Sequence, residues 1–378
     1  MERAGPTPAG AIRPPDIVEL CRRRGPFATA SIGRSGVGGW GRDDDAIASG
    51  DVLSMLAAEG VPEEVIASIS AALDAVDPSA KGAVVVADRD GVRLVETLPE
   101  RPRHEFARWS SVPSLTGLLE HRQAEIPVIL VFADRSGADL VISGAGGPAA
   151  EVVVEGGDSP ITKSAPGGWS QRRFQQRVED SWEHNAATVV GAIEDLAARA
   201  APELVVLGGD IRATALIRHG LPAELQAVTR TIGPGRARDG SEPLRSQLTD
   251  RLVDTAVAAE TVDLLHAFKD QAGHRAVNGA AGTIAALQQS QVDVLLVHDT
   301  DDDDRQACID VAAGLVALEP SELEAMGATD IETARLIDIA VHAAMTTGAA
   351  VRVVPAVAAI DEGLGALLRW ADPPATRG

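Results

Sequence analysis

The chain has 378 residues, 45% of them apolar but only 3% aromatic, with no tyrosine, which allows two or three domains packed with Ala, Val and Leu rather than rings. Two cysteines, Cys21 and Cys308, are too few for a disulfide framework or a zinc site, and neither a signal-peptide core nor a membrane-length apolar run is present, so a cytoplasmic protein with no membrane partner is expected. The net charge of −21 argues against non-specific nucleic-acid binding, but phosphate contacts need only local patches, and Arg22–Arg24, Arg101–Arg108, Lys163–Arg177 and Arg230–Arg238 supply them. Each patch is either a solvated face or a contact surface.

Residues 1–125 read as a mixed α/β domain. A short helix over 16–24 is followed by a strand over 27–32, a Gly/Arg loop with Trp40, and helices over 43–58 and 62–76. Pro62, Glu63 and Glu64 suit a helix N-terminus by fixed φ and by charge. The turn Asp88-Arg89-Asp90-Gly91 predicts a hairpin of strands 82–88 and 92–97, and an Arg/Pro-rich link leads to a helix over 114–122.

Residues 126–275 predict strands over 128–133, 139–143 and 151–155, then a polar Gly-rich run and a long helix. A buried strand over 204–207 ends at Gly208-Gly209-Asp210 with a helix beyond; a strand over 226–232 and a helix over 242–269 follow. This order suits a mixed sheet sandwiched by helices. Residues 276–378 predict a helix over 279–290, a strand over 292–298, a helix over 330–346 and strands over 350–354 and 363–370.

The most informative stretch opens the long helix: Gly167-Gly168-Trp169-Ser170-Gln171-Arg172-Arg173-Phe174, with Lys163 before it and Arg177 after it. Two glycines permit a turn that branched residues could not make, so Trp169 is either displayed on a tip or packed down on the helix. Phe174, Val178, Trp182, Ala186, Val189, Ile193 and Leu196 recur at helical spacing as the buried face. Ser170 fits a helix N-cap.

These residues resemble the Gly-Gly-Gln-Ser segment of archaeal and eukaryotic peptide-release factors, with Trp169 where the Gln would stand. Ala286-Leu287-Gln288-Gln289-Ser290-Gln291-Val292-Asp293-Val294-Leu295-Leu296-Val297 and Gly363-Leu364-Gly365-Ala366-Leu367-Leu368-Arg369-Trp370 are similar to the opening and closing segments of that superfamily's third domain. The chain most resembles the actinobacterial branch of Balon-type ribosome hibernation factors, bacterial relatives of Pelota. The resemblance covers about two-thirds of the chain and the N-terminal third poorly. It implies an α/β protein of three domains: a mixed α/β domain at 1–125, a release-factor-like central domain at 126–275 and an α/β/α domain at 276–378. It further implies binding to ribosomal RNA in the A site and peptidyl-transferase centre of the 70S ribosome through Lys163, Gly167, Gly168, Trp169, Ser170, Gln171, Arg172, Arg173 and Arg177. EF-Tu or another translational GTPase would be the companion.

Enzymatic motifs are poorly represented. Gly168-Trp169-Ser170-Gln171-Arg172 lacks the last glycine of a nucleophile elbow, and His184 has no acid paired with it in a recognisable order. Asp299-Thr300-Asp301-Asp302-Asp303-Asp304 lacks the Gly and bidentate Glu of a calcium loop, and Gly144-Ala145-Gly146-Gly147-Pro148 leads to a strand where a dinucleotide site needs a helix. No cofactor, metal or catalytic residue is expected. Two functions remain: a ribosome-binding hibernation factor, or a hydrolase of peptidyl-tRNA or tRNA related to release and rescue factors.

Overall fold

A computed structural model describes residues 11–34, 41–134, 137–144, 151–155, 168–233, 235, 241–300, 303–356, 358 and 360–371, with only the backbone described at 41–49, 155 and 168–182. It is an α/β protein whose described residues belong to two compact units, one formed by residues 1–123 with 260–378 and the other by residues 124–259. Each sheet nonetheless draws its strands from one of three consecutive segments of chain.

The first segment runs α1 (Pro15–Cys21), β1 (Phe27–Gly33), α2 (Gly41–Ala58), α3 (Glu63–Asp74), β2 (Gly82–Asp88), β3 (Gly91–Leu98), β4 (Phe106–Ser110) and α4 (Thr116–Ala124). Its antiparallel sheet has the order β3-β2-β1-β4. The period-2 alternation of strands divides its residues between two cores. Ala28, Ala30, Ile32, Ala83, Val85 and Ala87 meet α2 and α3, whose Val65, Ile69 and Leu73 recur at helical spacing. Phe27, Val84 and Val86 face the opposite way, towards α1 and α4. The sequence does not predict β4, whose Phe-Ala-Arg-Trp-Ser lies in the Arg/Pro-rich link.

The second segment contains β5 (Val128–Ala133), β6 (Gly137–Ser143), β7 (Glu151–Glu155), α5 (Gly168–Ala200), β8 (Leu204–Gly209), α6 (Ile211–Gly220), α7 (Ala223–Val228), β9 (Thr229–Ile232) and α8 (Glu242–Asp270). The sheet order is β7-β6-β5-β8-β9, antiparallel on the β6–β7 side and parallel through β5, β8 and β9. Ile129, Val131, Val205 and Leu207 pack under α5 and α6, while Val128, Phe132, Leu204 and Val206 pack under α8. The expected strand over 226–232 is a strand only from Thr229. Pro222 starts a helical turn instead, and Gln226 Nε2 donates to Leu221 O at 2.7 Å to hold it.

The third segment adds β10 (Ala276–Asn278), α9 (Ala280–Gln288), β11 (Val292–Val297), β12 (Gln306–Asp310), β13 (Leu315–Ala317), α10 (Pro320–Ala325), β14 (Glu332–Arg335), α11 (Leu336–Thr347), β15 (Ala350–Val353) and β16 (Leu364–Leu368). One sheet has the order β10-β16-β11-β15 and a second β13-β12-β14. Leu295, Val297, Val351 and Leu364 face α9 and α11, while Val294, Leu296 and Ala350 face Leu264 and Phe268 at the end of α8. The helix expected over 330–346 begins only at Leu336. Residues 332–335 pair with β12 from Gln306↔Arg335 to Ile309↔Glu332, a non-local ladder that overrides local helical spacing.

The first and third segments share one core, in which Ile17, Leu115, Leu118, Leu287, Ile339 and Val341 are all buried. Polar contacts cross it as well. Gln123 makes paired hydrogen bonds with the Val353 backbone at 2.8 and 2.9 Å, and Ser114 Oγ donates to Asp338 Oδ2 at 2.6 Å. Arg335 pairs with Asp299 at 2.5 Å and lies 3.8 Å from Asp338, and Thr116 donates to Asp299.

Asp338 is 1% exposed, and burial pushes its carboxyl up to about 6 against the pull of Arg335 and Ser114. The folded state therefore holds this proton more tightly than the unfolded chain does, and the stability it contributes is lost as pH rises through 6. His342, one helical turn away on α11, is pushed down to about 4 by burial and acts in the opposite sense, losing stability as pH falls. The Asp338→Asn variant separates the two. Measured against the parent chain, its melting free energy should gain about 2 kcal/mol between pH 4 and pH 7.5. A difference that does not change with pH would contradict a buried, titrating Asp338.

Candidate functional site

The site is built on the carboxyl ends of β5 and β8. Gly209 has φ +128°, and a Cβ there would fall 1.9 Å from Ala133 O, so β8 approaches the end of β5 more closely than any side chain allows. Gly235 lies as close, since its Cβ would sit 2.4 Å from Gly209 Cα. Asp210 caps α6, its Oδ1 accepting from Arg212 N at 2.9 Å and Ala213 N at 3.3 Å. Asp134 Oδ1 accepts from Gly137 N at 3.0 Å and closes the β5–β6 turn.

α5 crosses this edge. Asn185, Ala186 and Val189 line a cavity of about 20 Å³ together with Asp134, Gly137 and Asp210. That volume suits a single water. At the other end of the sheet, just beyond the end of α5, Glu203 N donates to Pro127 O at 2.9 Å. The helix thus runs antiparallel to β5, and its first half continues past the carboxyl ends of the strands. Residues 168–184 correspond to roughly 25 Å of helix at 1.5 Å per residue. Ala186, Val189, Ile193 and Leu196 are its buried stripe, as their spacing predicts. Phe174, Val178 and Trp182 lie where only the backbone is described.

Among the expected RNA-contact residues, Lys163 and Gly167 lie outside the described residues. Gly168, Trp169, Ser170, Gln171, Arg172, Arg173 and Arg177 all lie on the first turns of α5. Ser170 is therefore inside the first turn and is not the cap, and Trp169 belongs to the helix rather than to a turn before it. Once a helix is anchored, adding residues to its end is far easier than nucleating it. Helical geometry aligns positions 169, 173 and 177 in one row. The first backbone N–H groups of such a helix have no partner within it, which suits its amino end to anions.

The other basic patches differ in how far acids neutralise them. Arg101 pairs with Glu105 at 2.8 Å and Arg103 with Glu120 at 3.0 Å, while Arg108 lies over the Phe106 ring. In the 230–238 patch, Arg230 donates to Ala227 O and Thr229 O, and residues 236–238 lie outside the described residues. The acidic loop is partly committed to arginines. Asp299 holds Arg335, and Arg305 hydrogen-bonds Asp303 at 2.6 Å, lowering that carboxyl below its usual range. Cys21 and Cys308 are free and buried, with the Cys21 thiol pushed up to about 12 by burial. Sequence reasoning missed the meeting of Asn185, Asp134 and Asp210, because only the sheet topology brings them together. No described helix is long and apolar enough to cross a membrane.

The arrangement is that of a mixed α/β domain that carries a long helix past the carboxyl edge of its sheet. Residues 127–274, which span this sheet and its helices through the end of α8, match the family model of bacterial archaeo-eukaryotic release factor family 2. The match supports the resemblance to the release-factor superfamily for the central segment. An uncharacterized protein of Mycobacterium tuberculosis, found in strains H37Rv and CDC 1551, is 26% identical over 330 residues, covering 85% of this chain and 87% of the relative. Among solved structures, an archaeal translation termination factor is 18% identical with a TM-score of 0.22, covering 94% of this chain and 96% of its own. Pelota of Archaeoglobus fulgidus is 14% identical with a TM-score of 0.34, covering 76% and 79%. Archaeal Pelota, in a ribosome-bound model with ABCE1, is 14% identical with a TM-score of 0.37, covering 78% and 73%.

The close approach at Gly209 gives a direct test of how the edge is held. Gly209→Ala forces a side chain into a left-handed backbone against Ala133 O and should cost at least 1–3 kcal/mol in urea unfolding. Gly191→Ala, in α5 with open space around it, should leave stability unchanged or raise it slightly. Equal effects at the two positions would contradict the packing described.

Proposed function

We propose that this chain is a ribosome-binding translation factor that occupies the A site and holds the ribosome in hibernation without releasing peptide. In this reading its three domains are residues 1–125, 126–275 and 276–378. The Gly167-Gly168-Trp169 tip approaches the peptidyl-transferase centre, and the third domain faces EF-Tu or another translational GTPase. The observation that carries the proposal is the match of residues 127–274 to a release-factor family model, over the segment in which Gly168 and Trp169 begin α5. The length of α5 beyond the strands supports it, since a helix anchored at 186–196 can present its amino end far from its own core.

Chemistry separates this reading from peptidyl-tRNA hydrolysis. A glutamine amide can both donate and accept, and so can orient an attacking water. An indole has one N–H donor, no acceptor, and a broad face on which a base stacks. The first N–H groups of a helix have no partner within it and favour phosphate oxygens in the same region.

Two measurements test the proposal. Purified protein added to ribosomes carrying peptidyl-tRNA should release no peptide above background. Stimulated release would put hydrolysis in place of hibernation. Separately, Trp169→Ala should weaken co-sedimentation with ribosomes by roughly five- to a hundred-fold, the loss of one stacked base at ~1–3 kcal/mol, with the melting temperature unchanged. An early-melting variant that binds normally per folded molecule would make Trp169 a packing residue and remove the tip from the proposal.

A further inference from the structure

The end of α1 and the β2–β3 turn form an open cleft of about 400 Å³, lined by Arg23, Arg24, Gly25, Asp88, Arg89 and Asp90. Its arginines have two distinct roles. Arg23 and Arg93 are fixed from either side by the same two carboxylates. Arg93 reaches Asp88 at 2.7 Å and Asp90 at 3.0 Å, and Arg23 reaches them at 3.1 and 3.7 Å. Asp88 is buried, and its Oδ1 also accepts the Asp90 N–H at 2.9 Å, so the turn itself is rigid. Arg24 and Arg89 are exposed and have no hydrogen bond or ion pair with any described residue.

The charge does not balance. Arg22, Arg23, Arg24, Arg89 and Arg93 contribute five positive charges against three negative charges from Glu19, Asp88 and Asp90, leaving a surplus of two. In a chain of net charge −21 such a surplus stands against the overall field. Two guanidiniums without a partner among the described residues, both lining one open cleft, suit phosphate oxygens. The long-range field of the chain repels every polyanion alike, so attraction at this cleft has to come from the local surplus. A polyanion whose charges repeat along a strand fits better than a compact ligand, because the cleft is open.

We infer that Arg24 and Arg89 form a phosphate-binding site for an RNA backbone in the N-terminal segment, braced by the Arg23–Asp88–Arg93 cluster. The choice of RNA rests on the ribosome-binding proposal above. Contacts made to phosphates contribute affinity and position rather than sequence preference.

The test uses the full chain, the double variant Arg24→Gln/Arg89→Gln, and two probes: bacterial ribosomes and a fluorescent RNA hairpin of arbitrary sequence. Both residues are exposed and unpaired, so the melting temperature of the variant should match that of the parent. Hairpin binding should weaken roughly tenfold at low salt, and the slope of log K against log salt should become shallower by about 1.4–1.8, the loss of two phosphate contacts. The same loss should appear with ribosomes. Reduced hairpin binding by the variant, together with a parent chain that ignores ribosomes, would keep the site and remove the ribosome proposal. Ribosome and hairpin binding with unchanged salt slopes would overturn the site while leaving that proposal standing. Competition by poly-glutamate but not by RNA would also overturn it, assigning the cleft to an acidic peptide.

Discussion

Burial of β5 and β8 on both faces is the constraint on which the central unit depends. Alternate residues of β5 point to opposite sides, Ile129 and Val131 under α5 and α6, Val128 and Phe132 under α8. Neither face can be left to water without exposing several branched side chains, each worth about 1.5–3 kcal/mol when buried. Both helical layers are therefore obligatory, and the direction of α5 follows from the sheet. It must return antiparallel to β5 so that β8 can pair parallel beside it. A strand of six residues spans only about 20 Å, whereas a 33-residue helix spans about 50 Å. The excess helix is carried past the carboxyl edge, with Gly168 and Trp169 at its far end.

The other unit is organised by a different economy. Its first and third segments are far apart in the chain but share one apolar core, and residue 12 even pairs with Val351 at the edge of the third segment's sheet. Charges placed inside this junction lie where screening by water is weak. Asp338 and Arg335 sit there with Ser114, Thr116 and Asp299, so the junction is specified by polar geometry as well as by apolar area. Outside the core of the same unit, Arg24 and Arg89 have no hydrogen bond or ion pair with any described residue.

Local patterns made much of this legible. The Asp-Arg-Asp-Gly turn predicts the β2–β3 hairpin, and the spacing of Ala186, Val189, Ile193 and Leu196 predicts the buried stripe of α5. What escaped depends on pairing between distant residues. β12, β13 and β14 are three to five residues each and are strands only because Gln306 finds Arg335 and Cys308 finds Ala317. Arg89 reads in the sequence as an ordinary turn residue, and only the fold brings it to the cleft beside Arg24. Asp338 had one visible signal, a lone acid within the apolar run Leu336-Ile337-Asp338-Ile339-Ala340-Val341, but its partner Ser114 lies over two hundred residues away. The Gly-Gly-Trp motif was legible as a motif, whereas the sheet edge that α5 passes was not.

The most direct test of the account is a cryo-EM map of bacterial ribosomes incubated with the purified chain. The account predicts density for the central domain in the A site, with the amino end of α5 directed at the peptidyl-transferase centre and the Trp169 ring against an RNA base. An A site left empty, or a chain bound elsewhere on the ribosome with that end of α5 facing solvent, would contradict it.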